Sequence, residues 1–397
     1  GIEPSLLTEH DFESCASASS ATSASVAQMV HLRYSVPKYI TLSYKVKMKL
    51  GIIGLPQSGK TTLFNALTRS NAPTTASAGR IEVHNGVVDV PDPRVDKLSG
   101  MFKPKKTIYA KVTYADIAGL DGTQKGISGQ LLNTLAQMDG FIHVVRCFED
   151  ENVPHPAGSI NPARDAENML SELLLNDLIA VERKLERLVD ERRKGGTDKT
   201  LNERQTVLFT RLKESLDEGT PLRKLEFSPD DQKELASYGL LTRKPVLTVF
   251  NLGEGQAAPT LELDHATAAL PGKLEMEIAQ LPPEDAELFM AEYDITEPAL
   301  NRMIRLSFDL LDLQVFFTVG EDEVRAWTTR RHATAVESAG EIHTDLARGF
   351  VRAEVVAYED LVNLGNMAGC KAKGKFRLEG KEYIVKDGDI VHIRSSI

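Results

Sequence analysis

The chain has 397 residues, more than one ordinary domain holds, so about two or three domains are expected. Hydrophobic residues at 42% and charged residues at 26% describe a water-soluble globular protein, and no run of about 18 apolar residues is present, which excludes a transmembrane helix. A net charge of −10 argues against nucleic-acid binding driven by overall charge, and three scattered thiols, Cys15, Cys147 and Cys370, suggest neither a disulfide framework nor a zinc cluster and fit a reducing cytoplasm.

Residues 1 to 47 differ in composition from the rest of the chain. Ser14 to Ser25 is almost entirely Ser, Ala and Thr, with little to bury. The stretch lacks the apolar centre of a signal peptide, and Glu3, Glu9, Asp11 and Glu13 suit an organelle transit peptide poorly. It reads as a disordered leader or an over-extended gene model, with Met48 as a plausible natural start.

The next stretch carries the chemistry. Leu50, Ile52 and Ile53 form a short apolar strand. Gly54-Leu55-Pro56-Gln57-Ser58-Gly59-Lys60-Thr61 then matches G-x-x-x-x-G-K-[ST], and Thr62 to Arg69 follows with Leu63, Ala66 and Leu67 on one helical face. Gly54 and Gly59 permit backbone conformations in which successive N–H groups point at one phosphate chain, and the helix N-terminus adds partial positive charge. Lys60 can reach the β- and γ-phosphates, and the Thr61 hydroxyl can ligate Mg²⁺.

Val83 to Val90 has strand composition, ended by Pro91-Asp92-Pro93, and Thr107 to Tyr114 alternates as one strand. Asp116-Ile117-Ala118-Gly119 follows. Downstream of a phosphate loop, this D-x-x-G places Asp116 to hold Mg²⁺ through water and the Gly119 N–H to meet a γ-phosphate. Phe141 to Phe148 is another buried strand, in which His143 reads as a packed histidine rather than a ligand.

From Asn161 to Ser237 the chain is rich in Leu, Glu, Lys and Arg. Leu170, Leu173, Leu174, Asp177, Leu178 and Val181 share one helical face, extended by Leu185, Leu188 and Val189. Gly195-Gly196-Thr197-Asp198 interrupts the pattern and Leu201 to Leu216 resumes it, so a helical hairpin is inserted here; its charges are either a solvated face or a partner-docking face. Pro245 to Asn251 resumes the sheet and ends in Asn251-Leu252-Gly253-Glu254. Guanine-specific phosphate-loop proteins usually carry N-K-x-D at this position, the Asp accepting from guanine N1 and N2. With Leu252 and Glu254 there instead, the bidentate guanine contact loses its value and ATP is favoured over GTP. Gly272, in Pro271-Gly272-Lys273, lies where a second base-contacting loop is expected. Met303 to Leu311 reads as a closing helix. Val315 to Val319, Arg325 to Thr328, Val351 to Val356, Tyr383 to Val385 and Val391 to Arg394 are strand-like within a last unit of about 80 residues, long enough to fold alone.

Assembled, these pieces resemble the Obg-like ATPase (YchF) family of TRAFAC-class P-loop NTPases, from about Met48 to Ile397. The resemblance is carried by GLPQSGKTTLFNALT (54–68), VPDPRVDKL (90–98), DIAGL (116–120), HVVRCFEDENVPH (143–155), EPALNRMIR (297–305), FFTVGEDEVRAWT (316–328), IHTDLARGFVRAEV (342–355) and KEYIVKDGDIVHIR (381–394). It implies an α/β fold: a nucleotide-binding G domain over 48–313, interrupted at 156–242 by a helical coiled-coil hairpin, and a C-terminal β-grasp (TGS) domain over 314–397. It also implies Mg²⁺-dependent, slow ATP hydrolysis and association with the ribosome or translation factors. By matching positions, Gly54, Pro56, Gln57, Ser58, Gly59, Lys60, Thr61, Thr62, Gly119, Asn251, Leu252, Glu254 and Gly272 would contact nucleotide, and Thr61 and Asp116 the metal. No catalytic residue is assigned.

Two departures concern γ-phosphate sensing. The family's first switch usually reads F-P-F-x-T-I-E-P-N, whereas Ala76 to His84 places Arg80 at the Thr position, with Thr74 or Thr75 as substitutes. The second switch, DIAGLDGTQKGISGQ, is shorter than the family's, and Leu120 stands where Ras-like proteins place a water-orienting Gln. These support an alternative, a nucleotide-binding scaffold with little or no hydrolysis. Lys371, Lys373, Lys375, Arg377 and Lys381 form a basic run in the last unit, either an RNA-binding surface or a solvated one.

Overall fold

The computed structural model describes residues 49–72, 83–118, 127–195, 198–292, 295 and 297–396. The leader 1–47 with Met48, the first-switch stretch with Thr74, Thr75 and Arg80, and Gly119, Leu120 and the rest of the second switch to Gly126 lie outside the described residues. The first sheet contains β1 (Lys49–Ile53), β2 (Val83–Asp89), β4 (Lys111–Ile117), β5 (Gly140–Arg146), β6 (Val246–Asn251) and β7 (Thr267–Leu270), in the order β2-β4-β1-β5-β6-β7. All its pairings are parallel except that of β2 with β4. Every residue of β5 and β6 is buried, as expected for parallel strands covered on both faces, and this explains their nearly unbroken apolar sequence.

The second sheet contains β3 (Lys106–Ile108), β8 (Leu313–Val319), β9 (Glu323–Arg330), β10 (Phe350–Ala357), β11 (Arg377–Glu379) and β12 (Asp389–Ser395), in the order β11-β10-β12-β8-β9-β3. The expected single strand from Thr107 to Tyr114 is therefore two strands in two sheets. Lys106–Ile108 pairs in parallel with β9, and Lys111–Ile117 returns to the first sheet. Alternation signals an extended half-buried chain and says nothing of which sheet receives it. Tyr383 to Val385 is not a ladder strand: the Tyr383 carbonyl accepts from Ala335 N–H, Val385 N–H donates to Ala333, and Ile384 makes one bridge to Thr334. The strand in this region is β11, inside the basic run.

Helices follow in chain order: α1 (Lys60–Thr68), α2 (Pro93–Phe102), α3 (Gly129–Ala136), α4 (Pro162–Lys194), α5 (Lys199–Asp217), α6 (Pro229–Leu235), α7 (Gly272–Gln280), α8 (Pro283–Glu292), α9 (Ala299–Leu310), α10 (Ala335–Ile342), α11 (Thr344–Arg348), α12 (Tyr358–Leu364) and α13 (Met367–Ala372). None in the described residues is long and apolar enough to cross a membrane. The α4–α5 hairpin starts at an Asn161 cap with Pro162 in the first turn. α4 ends with Arg192, Arg193 and Lys194 ahead of Gly195, and α5 restarts on an Asp198 cap. Val181, Phe209, Leu212 and Leu222 build a small core of its own. Leu188 is buried, but Val189 is half exposed and lies beside the stripe rather than on it.

Asp177 sits on the apolar face of α4 for a reason the pattern does not show. Its carboxylate accepts from Leu241 N–H at 2.8 Å, Thr242 N–H at 2.7 Å and Thr242 Oγ1 at 2.6 Å, latching the hairpin to the chain that returns to β6. Two residues on, Lys244 Nζ donates to the carbonyls of Leu135, Ala136 and Met138 at and just beyond the end of α3.

The sheets share one core that includes Leu50, Ile142, Leu247, Met303, Phe317 and Ile390. Arg94 of α2 reinforces the contact. It pairs with Asp92 and with Asp387 at 2.6 Å and lies over the Phe317 ring, while Asp387 also accepts from Val315 N–H at 3.0 Å.

Removing the Asp177 carboxylate strands two buried N–H donors. Asp177→Ala is expected to lower stability by about 2–4 kcal/mol, read as a reduced urea midpoint. Thr242→Val, which leaves both backbone contacts in place, is expected to cost clearly less; equal costs would contradict the latch.

Candidate nucleotide-binding site

β1 lies between β4 and β5, and the loop at its C-terminal end opens where the strand order reverses, the usual ligand crevice of an open parallel sheet. Gly54 has φ +151°, and a Cβ there would meet the Val144 carbonyl oxygen at 2.4 Å. Gly59 has φ +94°, and a Cβ there would meet Asn251 Nδ2 at 2.1 Å. Both glycines are therefore required by space as well as by conformation. Between them Gln57 adopts φ 62°, a left-handed conformation that side chains disfavour, and stands exposed with Pro56. Ser58 N–H closes the turn on Leu55 at 3.3 Å.

α1 begins at Lys60 with Gly59 as its cap, and no side chain caps it, so its first N–H groups face the loop's concavity. Lys60 Nζ donates to the Gly54 and Leu55 carbonyls at 2.9 and 2.8 Å and so lies along the loop. Burial pulls its ammonium down to about 8, against the opposing pull of Asp116. Thr61 Oγ1 donates to Asp116 Oδ2 at 2.7 Å, and Thr62 continues the helix beside it. Asp116 is the penultimate residue of β4. Burial raises its carboxyl pKa, opposed by Thr61, Lys60 and His84. Its Oδ1 is buried without a hydrogen-bond partner. A hydroxyl beside an orphaned carboxylate oxygen is an all-oxygen donor set that suits a hard divalent cation, so these residues fit Mg²⁺.

Asn251, 4% exposed at the end of β6, joins three loops. Its Nδ2 donates to the Ser58 carbonyl at 3.0 Å, and its Oδ1 accepts from Gly272 N–H at 3.0 Å. A Cβ on Gly272 would meet that Oδ1 at 2.7 Å. Gly272 is thus a close-approach position at the start of α7. Leu252 is half-buried against a cluster containing Val145, Cys147 and Phe250, and Glu254 is exposed two residues on.

Three further residues build this end of the crevice. Arg146, opposite Asn251 in the β5–β6 register, donates from Nε to the Phe148 carbonyl at 3.1 Å and lies 4.4 Å from the centre of the Phe148 ring. Phe148 stands next to Gly59 and Gly253. Gln256 clamps the two strand-end loops, accepting from Gly253 N–H at 2.8 Å and donating to the Cys147 carbonyl at 2.9 Å. Arg146 and Phe148 had a signal, since they close a buried strand beside the expected base loop; Gln256 had none. His143 is 5% exposed inside β5, where burial, with lesser contributions from His265 and Lys60, pushes its imidazole down to about 3 and keeps it neutral.

Two family profiles match the chain: one described as a 50S ribosome-binding GTPase over residues 49–184, and the YchF GTPase C-terminal profile, described as a protein of unknown function (DUF933), over residues 313–396. The ribosome-binding ATPase YchF of Bacillus subtilis is 39% identical over 364 residues, 87% of this chain and 99% of that protein. Its counterpart from Escherichia coli O157:H7 is 41% identical over 87% of this chain and 98% of its own length. Obg-like ATPase 1 of rice is 35% identical over 88% and 92%. The structure of the Schizosaccharomyces pombe YchF GTPase superposes with a TM-score of 0.75 at 29% identity, covering 89% of this chain and all of that one. With near-complete coverage of several relatives at about 40% identity and the same fold, this chain belongs to the YchF family.

Proposed function

We propose that this protein is a cytoplasmic Mg²⁺-dependent ATPase switch that binds ATP in preference to GTP, hydrolyses it slowly and works on the ribosome or with a translation factor. The observation that carries the reading is the Lys60–Thr61–Asp116 constellation beside an uncapped helix start, in a chain similar along its length to ribosome-binding ATPases. The N–H groups at the start of α1 and the Lys60 ammonium receive the phosphates. Thr61 and Asp116 would hold Mg²⁺, which when bound would supply positive charge to offset that developing on the phosphoryl oxygens. Gly119, outside the described residues, would sense the γ-phosphate.

ATP preference is supported by the strand-end loop. Asn251 holds the loop to the phosphate cradle, so the base falls near Leu252 and Phe148. Leu252 lacks a charged head and Glu254 is one methylene longer than the Asp of guanine-specific loops. Leu252 supplies no polar group, and the extra methylene displaces the Glu254 carboxylate from where an Asp would pair with guanine N1 and N2. The domain division follows the same reading: nucleotide domain 48–313, helical insertion 156–242 and TGS domain 314–397, the last two supplying docking surfaces. The hairpin's separate core and the second sheet support it.

RNA contact through the last domain is a lesser part of the proposal. Lys375 pairs with Asp360 at 3.1 Å, Arg377 contacts Glu379 and Asp389, and Lys371 lies over the Phe376 ring, so Lys373 and Lys381 remain the more available cations of that run. About two phosphate contacts would give weak RNA binding that falls as salt rises. Binding that persists after Lys373→Ala and Lys381→Ala together, with an unchanged salt slope, removes this part.

Titrating ATP against GTP, with and without ribosomes, tests the main reading. ATP is expected to bind at least about tenfold more tightly, on the scale of one lost bidentate contact, and phosphate release to exceed that of Lys60→Ala. A preference for GTP overturns the base assignment. Release no faster than the Lys60→Ala control favours the scaffold reading, which Arg80 and Leu120 motivate.

The depressed Lys60 pKa adds a pH test. The phosphates favour the charged ammonium, so binding takes up a proton once the free protein's Lys60 has lost it. ATP affinity is expected to be flat below about pH 8 and to fall by roughly tenfold per unit above it. Calorimetry in buffers of different ionisation enthalpy reads the proton directly, and Lys60→Arg is expected to flatten the profile.

A further inference from the structure

Between the first turns of α4 and the first sheet lies a cavity of about 170 Å³, and none of the proposed nucleotide-contacting residues lines it. Its lining includes Ala163 and Glu167, both exposed, so it opens to the surface. Most of its wall is apolar: Ile53, Met169, Leu173, Val246, Leu261 and Leu263. An apolar cavity of roughly 150 Å³ is large enough to hold benzene.

One end of the cavity is polar and ordered. His143 and Thr248 are direct partners in the β5–β6 register, so they share one face of the sheet, and both are buried. Thr248 Oγ1 lies 2.8 Å from His265 Nε2, and His265 Nδ1 lies 2.8 Å from Asp264 Oδ1. Asp264 also contacts Lys224 and has Arg223 at 3.9 Å. Burial alone would raise the Asp264 carboxyl, but the contacts from Lys224 and His265 bring it down to about 2, so it is ionised and accepts the Nδ1 proton. Burial lowers the His265 pKa and favours the neutral ring. Its Nε2 is then an acceptor, and the Thr248 hydroxyl donates a hydrogen bond to it. The direction of this relay is set from the surface inward, and it leaves the lone pairs of Thr248 Oγ1 as acceptors at the cavity's end.

We propose that this cavity is a binding site for a small one-ring aromatic molecule with a single hydrogen-bond donor, of the phenol class. Its ring packs on Met169 and Leu173 and its hydroxyl donates to Thr248 Oγ1. The relay selects a donor over an acceptor at that end, and the apolar wall selects an uncharged ring.

Phenol and toluene, of nearly the same shape, separate the two halves of the proposal when titrated into the full chain by calorimetry and thermal unfolding. Phenol is expected to bind saturably and about tenfold more tightly than toluene. Thr248→Val is expected to remove that difference while toluene still binds, and Met169→Trp to abolish both by filling the space. Met169→Phe, a smaller change, serves if the tryptophan variant does not fold. Lys60→Ala is expected to leave phenol binding intact, which keeps the result independent of the nucleotide reading. The proposal is overturned by any of three outcomes: no saturable binding up to about 10 mM, the regime of the weakest specific sites; phenol affinity unchanged in Thr248→Val; or binding retained when Met169 is enlarged.

Discussion

The buried carboxamide of Asn251 is the contact on which the nucleotide site depends. One side chain spends its donor on the Ser58 carbonyl and its acceptor on Gly272 N–H. It thereby holds the phosphate loop, the β6 end and the start of α7 in one geometry. The arrangement works because there is no Cβ at Gly59 or at Gly272, where one would overlap the carboxamide. A buried amide with both ends paired is strongly position-specific, since any shift leaves a polar group without a partner in a low-dielectric setting. Gln256 repeats the device one layer out, with one end on Gly253 N–H and the other on the Cys147 carbonyl. Two neutral carboxamides thus align the loops around the candidate phosphate cradle.

In the phosphate cradle itself, charge sits where phosphate and metal chemistry would use it. Lys60 is held along the loop by two carbonyls with its ammonium weakened by burial, and Asp116 keeps one oxygen on Thr61 and the other unmatched. Both groups carry an electrostatic cost that an incoming anion and cation would relieve. Such a site is poised rather than relaxed, and its residues are stabilised by what they bind.

The second sheet is not an appendage. The chain leaves the first sheet after β2, forms α2, contributes β3 to the edge of the second sheet and returns as β4, the strand that carries Asp116. Arg94 fastens the same excursion to Asp387 and Phe317. The strand bearing Asp116 is therefore bounded on its N-terminal side by a segment committed to the other sheet. On the opposite flank, Asp177 and Lys244 tie the helical hairpin to the end of α3, which follows the second switch. Each flank of the nucleotide crevice has a fixed mechanical neighbour.

Much of this was legible in the residues alone, and for local reasons. The phosphate loop, its strand and its helix are consecutive, so glycine placement and hydrophobic period identify Gly54, Gly59, Lys60 and Thr61 without reference to the rest of the chain. The α4–α5 hairpin has caps and a break at Gly195 that are equally local. What escaped was non-local. Thr107 to Tyr114 alternates uniformly, yet Ile108 and Lys111 belong to different sheets, because the choice of partner strand depends on residues more than 200 positions away. Nothing in the α4 pattern shows that Asp177 is matched to Leu241 and Thr242, and Gln256 carries no signal because its two partners lie in different loops. Local pattern determines which segments are strand, helix or phosphate cradle. Which buried polar groups find partners is decided by folding, because hydrogen bonds are short and directional while the residues they join are distant in the chain.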